Sequence, residues 1–312
     1  MKKARSLGRV RETRASAHVA HRFLVRSTHP SLLVLAAALV LVGGCRKAAA
    51  PLPPTQVVAV PVRSLPLEPD DPAWQSVPEY PAKLILQDMV EPRQLAVTTG
   101  EVRVRAVTSG SQIAFRLGWT DASQDDVSDS ARFADACAVQ LPAKTEPTVP
   151  APQMGEPTRP VEITFWNACW QAVADGRGQS IRDIYPRATV DHYPFEAKPL
   201  ENDPAAQGQI ALRYAPALAL GNRMASPGAE PVQDLVAEGP GTLAPAPASR
   251  SQGKGRWDSG AWAVVIARPL PADFSPEAGS QVAFAVWEGA HEEVGARKMR
   301  TAWIPLTVAE NP

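Results

Sequence analysis

Beyond residue 45 the chain is poor in side chains that make or break bonds. Its histidines there are His192 and His291, and its cysteines are Cys137 and Cys169. No Cys-x-x-Cys-His occurs, which excludes a covalently attached haem. Four nitrogen or sulfur ligands at usable spacing are lacking, which argues against a structural zinc. There is no nucleophile elbow, phosphate loop or dinucleotide fingerprint, so neither a hydrolase nor a nucleotide enzyme is supported. Asp121, Asp125 and Asp126 form an acidic loop that could hold calcium, and Glu288, Glu292 and Glu293 read as a solvated loop. Two residues stand out by their setting. Met154 places a lone thioether in the turn Met154-Gly155-Glu156-Pro157, before the aromatic and β-branched run Val161 to Trp166. Lys254 lies between Gly253 and Gly255, and glycines let a backbone come close to a flat ligand. The ordinary readings are a gap-filling methionine and a solvated turn lysine. Lys298, in Gly295-Ala296-Arg297-Lys298, is the rival of Lys254.

The N-terminus supplies an address. Residues 1–31 carry eight Lys and Arg against the single acid Glu12, then Leu32 to Val42 is aliphatic, and Val42-Gly43-Gly44-Cys45 follows. A basic region, a short apolar region and small residues before a cysteine make an export signal. The apolar run falls short of the roughly 20 residues of a membrane-spanning helix. We read residues 1–44 as a lipoprotein-type signal peptide and Cys45 as the lipidation site, although Gly43 stands where Ser, Ala or Thr is commoner. The full chain balances 32 basic and 32 acidic residues; without the leader 24 face 31, a net charge of −7. A mildly acidic body argues against nucleic-acid binding, which requires a basic footprint.

Those residues must be positioned by β-structure. Residues 45–69, rich in Pro and Ala, read as an extended linker. Residues 70–312 are long enough for one core, and 32 prolines favour short strands with loops. Val102, Val104 and Ala106 alternate, Thr108 to Ser111 turns, and Ile113, Phe115, Leu117 and Trp119 alternate back. Further strands are expected at 133–141, 160–170, 189–193, 260–268, 281–287 and 300–308, with short helices at 168–174 and 231–237. The pattern predicts an all-β fold, a two-sheet antiparallel sandwich with a few short helices. If 137 and 169 lie on a hairpin closed by 141–160, Cys137 faces about Ile163 and Cys169 is out of register. Export permits a disulfide between them, and buried free thiols are the other reading.

The segments around Met154 and Lys254 resemble the haem-b-binding γ subunits of periplasmic molybdenum enzymes, the ethylbenzene and dimethylsulfide dehydrogenases and the selenate and chlorate reductases. The resemblance runs through Asp71-Pro72-Ala73-Trp74, Ile113 to Asp121, Phe133 to Pro142, Val190 to Phe195, Pro231 to Gly239, Trp257 to Val265 and Phe284 to Gly289. It implies haem b as cofactor, its iron held by Met154 and Lys254, with Lys298 as the alternative to Lys254. A lysine ligates only as the neutral amine, and deprotonation at pH 7 costs on the order of 4–5 kcal/mol, which burial lowers. His192 and His291 could also ligate a haem as a pair. Trp166, Trp170, Trp257, Trp262, Trp287 and Trp303 would line the core or the haem pocket.

On that resemblance the chain is a lipid-anchored, periplasmic b-type cytochrome, an electron carrier rather than an enzyme. Its partners would be redox proteins, either molybdopterin and iron–sulfur subunits or a soluble cytochrome, with the membrane reached through Cys45. The family members named above are not usually lipoproteins, so Cys45 is a departure. The competing reading is a non-redox carbohydrate-binding module of the same fold, with Trp119 or Trp170 as a stacking platform.

Overall fold

The alternating run that opens the folded region becomes a nine-residue hairpin pair, β4 (Glu101–Ser109) and β5 (Gln112–Thr120). Val104 pairs with Leu117 and Ala106 with Phe115, so each strand turns its large apolar residues to one face. In this computed structural model residues 54–178, 181–188, 202–223, 225 and 230–310 are described. The leader, Cys45, His192 and the strand expected at 189–193 lie outside them, and Pro53–Pro312 is one compact unit.

In chain order the strands are β1 (Val57–Pro61), β2 (Tyr80–Lys83), β3 (Ile85–Leu86), β4 and β5, then β6 (Ala136–Pro142), β7 (Val161–Asn167), β8 (Val232–Ala237) and β9 (Ala244–Pro245). They continue as β10 (Gln252–Asp258), β11 (Ala261–Pro269), β12 (Ser280–Trp287), β13 (Met299–Arg300) and β14 (Ile304–Val308). The helices are α1 (Ala168–Ala174), α2 (Ile181–Ile184), α3 (Pro204–Tyr214) and α4 (Pro216–Ala219).

The fold is β-rich with a few short helices, as expected, but its strands join into one mixed sheet rather than two separate antiparallel ones. The path runs β10-β11-β5-β4-β1-β14-β12-β6-β7-β8-β9. Two joints make it continuous. β1 lies parallel to both β4 and β14, and β12 pairs with β14 through Ser280–Val282 and with β6 through Ala283–Trp287. The first joint was hidden because Val57 to Pro61 was read as linker; flanking prolines masked a five-residue strand.

The halves of the path meet across an apolar core. The Trp166 ring lies 5.0 Å from that of Trp262, and Phe115 lies 5.8 Å from Phe284 in an edge-to-face pair. α1 begins where expected because Asn167 caps it: its Oδ1 accepts from the amides of Cys169 and Trp170. Residues 232–237, expected as helix, are the strand β8, since Val232, Asp234 and Val236 alternate with Gln233, Leu235 and Ala237 against β7. Met299–Val308 is broken into β13 and β14. Cys137 pairs with Trp166, three residues on from the expected Ile163, and both Cys137 and Cys169 are free thiols.

Candidate functional site

Four strands build the floor of a cavity of about 1000 Å3. They are β12, β6, β7 and β8 in that order, and successive residues of a strand point to opposite faces. One face turns Cys137, Val139, Trp166 and Val286 into the core. The other presents three rows to the cavity. Ala285, Ala138, Phe165 and Gln233 lie side by side; Ala283, Gln140, Ile163 and Leu235 form the next row; Trp287, Ala136 and Asn167 form the third. The alanines are what make room. Large side chains at those four positions would close the space onto the sheet, as they do on the core face.

Loops wall the cavity. The Met154 turn is pinned to the end of β8, where the amide of Gly239 donates to the Met154 carbonyl (2.8 Å). Met154 itself has φ 68°, a left-handed conformation that costs a non-glycine residue energy and persists only where the surroundings hold it. At Gly155 (φ 79°) a Cβ would lie 2.9 Å from the Ala237 carbonyl, so only glycine fits that docking. On the opposite wall the loop before β13 folds over Trp287, whose Nε1 donates to the Gly295 carbonyl (3.0 Å). Lys298 Nζ then sits 4.8 Å from the Trp287 ring centroid. Burial, with Arg300 adding repulsion, brings Lys298 down to about 8. Arg223 lies 4.8 Å over the Trp170 ring, and both Trp170 and Trp287 meet Phe165 edge-on.

Lys254 is elsewhere. In β10, Gly253 and Gly255 face inward, and a Cβ at Gly255 would lie 2.1 Å from Trp166 Cζ2. Lys254 therefore points out, where its Nζ is 3.3 Å from Glu68 Oε1 in an exposed ion pair. The flat group that the glycines admit is the Trp166 indole, part of the chain itself. The fold does not bring Met154 and Lys254 together: Met154 lines the cavity, and Lys254 is not among the residues that line it. Among the described residues no group of three or more His, Cys, Asp or Glu is placed to hold a metal ion. The reading of a b-type cytochrome whose haem iron sits between Met154 and Lys254, and electron transport built on that pair, is corrected accordingly. Lys298, the alternative, does line the cavity with Met154, and its amine is engaged over Trp287.

Trp170 and Trp287 line the cavity, Trp166 and Trp262 are core, and Trp119 is buried against Trp262, away from this cavity. Glu288 and Glu293 are not solvated. Glu293 is 1 % exposed and accepts from Gln94 Nε2, Thr98 Oγ1 and the Glu288 amide. In the acidic loop Asp126 pairs with Arg177 and Asp125 accepts from Ser123, while Asp121 is buried. Sequence reasoning missed the alanine floor. Its signal was present in Ala136-Cys137-Ala138-Val139-Gln140-Leu141, where one face begins with two alanines and the other is apolar throughout.

A Haloferax mediterranei protein described as the heme subunit ORF7 of a respiratory nitrate reductase is 24 % identical over 288 residues, covering 90 % of this chain and 82 % of its own. Among solved structures, a family 9 carbohydrate-binding module of Caldicellulosiruptor kristjanssonii in complex with cellotriose superposes with a TM-score of 0.42 at 8 % identity, over 82 % of this chain and 95 % of that one. The glucose complex of such a module gives 0.38 at 9 % identity, over 82 % and 97 %. Residues 71–299 match the profile of the ethylbenzene dehydrogenase family. That match spans nearly all of the folded region, from the Asp71 turn to β13, and the chain belongs to the ethylbenzene dehydrogenase family.

Proposed function

We propose that this chain is a non-catalytic binding protein whose ligand is a large, mostly apolar molecule held in the cavity on the outer face of β12, β6, β7 and β8. One observation carries the reading: a space of about 1000 Å3 floored by Ala136, Ala138, Ala283 and Ala285 and walled by Phe165, Trp170 and Trp287. It is at the upper end of small-molecule sites, and its predominantly apolar lining is what such sites use. Met154 and Lys298 are the contacts we assign to the ligand, one soft and one polar. The strained backbone at Met154 supports a role for that residue, because strain is retained where geometry matters.

A carbohydrate is the second reading. It is favoured by the Trp170 and Trp287 rings together with the amide side chains of Gln140, Asn167 and Gln233 in the same cavity. Two of those amides already serve the fold: Gln140 Nε2 donates to the Pro152 carbonyl, and Asn167 caps α1. The mostly apolar lining therefore favours the first reading.

We further propose that the protein is exported and tethered through Cys45, with residues 46–56 as the remaining spacer. No helix among the described residues is long and apolar enough to cross a membrane. A partner protein would meet the exposed apolar residues Leu220, Leu243 and Val294, which rim the cavity.

Titration with the neutral fluorophore phenylnaphthylamine tests the main reading. Saturable binding that is abolished by Ala138→Trp, with Ala285→Met as a milder filling variant, is the expected result. Binding that survives both variants would overturn it. Calorimetry with soluble gluco-oligosaccharides tests the second reading, since an apolar pocket gives no heat with them.

A further inference from the structure

The other half of the sheet carries a second concavity, of about 520 Å3, that shares no lining residue with the cavity described above. It lies on the outer face of β10, β11, β5 and β4. Phe115, Leu117 and Trp119 of β5 point into the core, so Arg116 and Gly118 between them point out.

Two neighbouring rows of that outer face differ. The row Lys254, Val265, Arg116 and Arg105 is capped by residues 68–79. Arg116 Nε donates to the Pro69 carbonyl (2.6 Å), Arg105 donates to the Trp74 carbonyl, and Lys254 pairs with Glu68. The next row, Arg256, Ala263, Gly118 and Arg103, lines the concavity. Its outer members are arginines three strand spacings apart, about 14 Å, and its inner members have almost no side chain. Arg116 leans from the capped row into that gap: a Cβ on Gly118 would lie 3.7 Å from Arg116 Nη1. Three guanidinium groups thus line one trough.

Their charges are not all met. Asp70 is paired with Arg256 and Glu79 with Arg105, while Asp258 accepts from the Ser259 hydroxyl (2.9 Å). The exposed Arg103 has no ion pair or side-chain hydrogen bond among the described residues, and the Nη groups of Arg116 find no acceptor among them. Burial, then repulsion from Arg105 with Arg103 adding to it, holds Arg116 below the usual guanidinium range. Two accessible guanidinium groups repelling one another over a floor of Gly118 and Ala263 match one doubly charged oxyanion. Each planar fork can take two of its oxygens. A phosphate monoester carries close to two charges at neutral pH, where a carboxylate carries one. The space exceeds a bare oxyanion and falls in the range of small-molecule sites. Asp258, on the same side of β10 one row beyond Arg256, adds an acceptor for a hydroxyl.

We infer that this trough is a second binding site, for a small polar phosphate ester, its phosphate held by Arg116 and Arg103 over Gly118 and a hydroxyl of its body reaching Asp258. The ligand is opposite in character to the one proposed for the alanine-floored cavity, and the two sites lie on different strands.

The test titrates glycerol 3-phosphate into the full chain at about 0.15 M salt, where exposed charges are screened beyond about 8 Å. The amide signals of Gly118 and Ala263 are followed by nuclear magnetic resonance, with glycerol as the uncharged comparison. The inference predicts saturable shifts with the phosphate ester and none with glycerol. Arg116→Gln should weaken binding about tenfold or more, the scale of one charged hydrogen bond. Arg103→Gln, an exposed change that leaves the fold intact, should weaken it about threefold or more. Lys254→Gln, which removes an equal charge outside the trough, should leave the affinity within about twofold. Absent or unsaturable shifts, an equal response to glycerol, or an Arg103→Gln effect no larger than that of Lys254→Gln overturns the inference.

Discussion

Gly255→Ala should damage the protein more than any change at the lysine beside it. The added Cβ would lie 2.1 Å from Trp166 Cζ2, 2.7 Å from Cε2 and 2.9 Å from Cη2. Trp166 cannot retreat easily. It is fully buried, its Nε1 donates to Gln171 Oε1, and its ring abuts Trp262. Overpacking a close-fitted core of this kind costs roughly 1–3 kcal/mol. Relief from glycine's unfolded-state entropy returns only about 0.5–1 kcal/mol. A contact of 2.1 Å against a held ring takes the upper end of that cost, so the net of about 2 kcal/mol corresponds to a fall in Tm of about 4–8 °C for a domain of this size. Lys254→Ala removes an exposed ion pair, an effect of about 0–1 kcal/mol. Thermal unfolding followed by circular dichroism reads both, and the near-ultraviolet tryptophan signal should change only in the glycine variant. A neutral Gly255→Ala, or a Lys254→Ala more harmful than it, refutes the account of β10 as a strand whose glycines admit Trp166.

Three further outcomes follow from particular contacts. Burial, reinforced by Glu288 and Asp125, raises Asp121 to about 6, and burial with the charge of Asp121 raises Asp135 to about 7. Raised carboxyl values favour the neutral form in the fold, so this contribution to stability is complete below the ordinary carboxylate range and is lost as pH rises through about 6 to 7. Asp121→Asn, which puts an uncharged group where the buried Oδ2 has no partner, should flatten that loss; urea midpoints at pH 5 and pH 8 that keep the wild-type difference count against it. Asp234 accepts from Thr164 Oγ1, Ser251 Oγ, and the amides of Arg250 and Ser251, so Asp234→Ala should cost about 2–4 kcal/mol in denaturant unfolding through the donors it strands. Of the two cysteines in the folded region, alkylation followed by peptide mapping should modify the half-buried Cys169 in native protein and Cys137 only after unfolding.

Much of the framework could be read from residues in order, and the failures share a cause. The β4–β5 hairpin and α1 were legible because alternation and a cap are local signals: Val104 opposite Leu117, and Asn167 ahead of Ala168. Val232 to Ala237 is short and carries a half-buried polar residue on each face, Gln233 toward the cavity and Asp234 toward Ser251, so its apolar count does not settle the period. β1 escaped because it is held by parallel neighbours distant in sequence, which no local pattern encodes. At the site, Met154 and Lys298 line the cavity, while Lys254 lies on the outer side of β10 beside Glu68. A glycine pair announces a close approach but not what approaches. Whether that is a ligand or the protein's own Trp166 depends on which strand lies opposite, and the chain brings Trp166 there from almost ninety residues away.

Hydrogen exchange with and without bound phenylnaphthylamine, read by mass spectrometry, tests the location of the site most directly. Ligand binding protects the backbone it orders. Protection should appear in residues 151–156, 239–243 and 289–298, the segments that wall the alanine face, and should leave 252–258 unchanged. Protection concentrated on 252–258, with the walls unaltered, would contradict the account and return the ligand to Lys254.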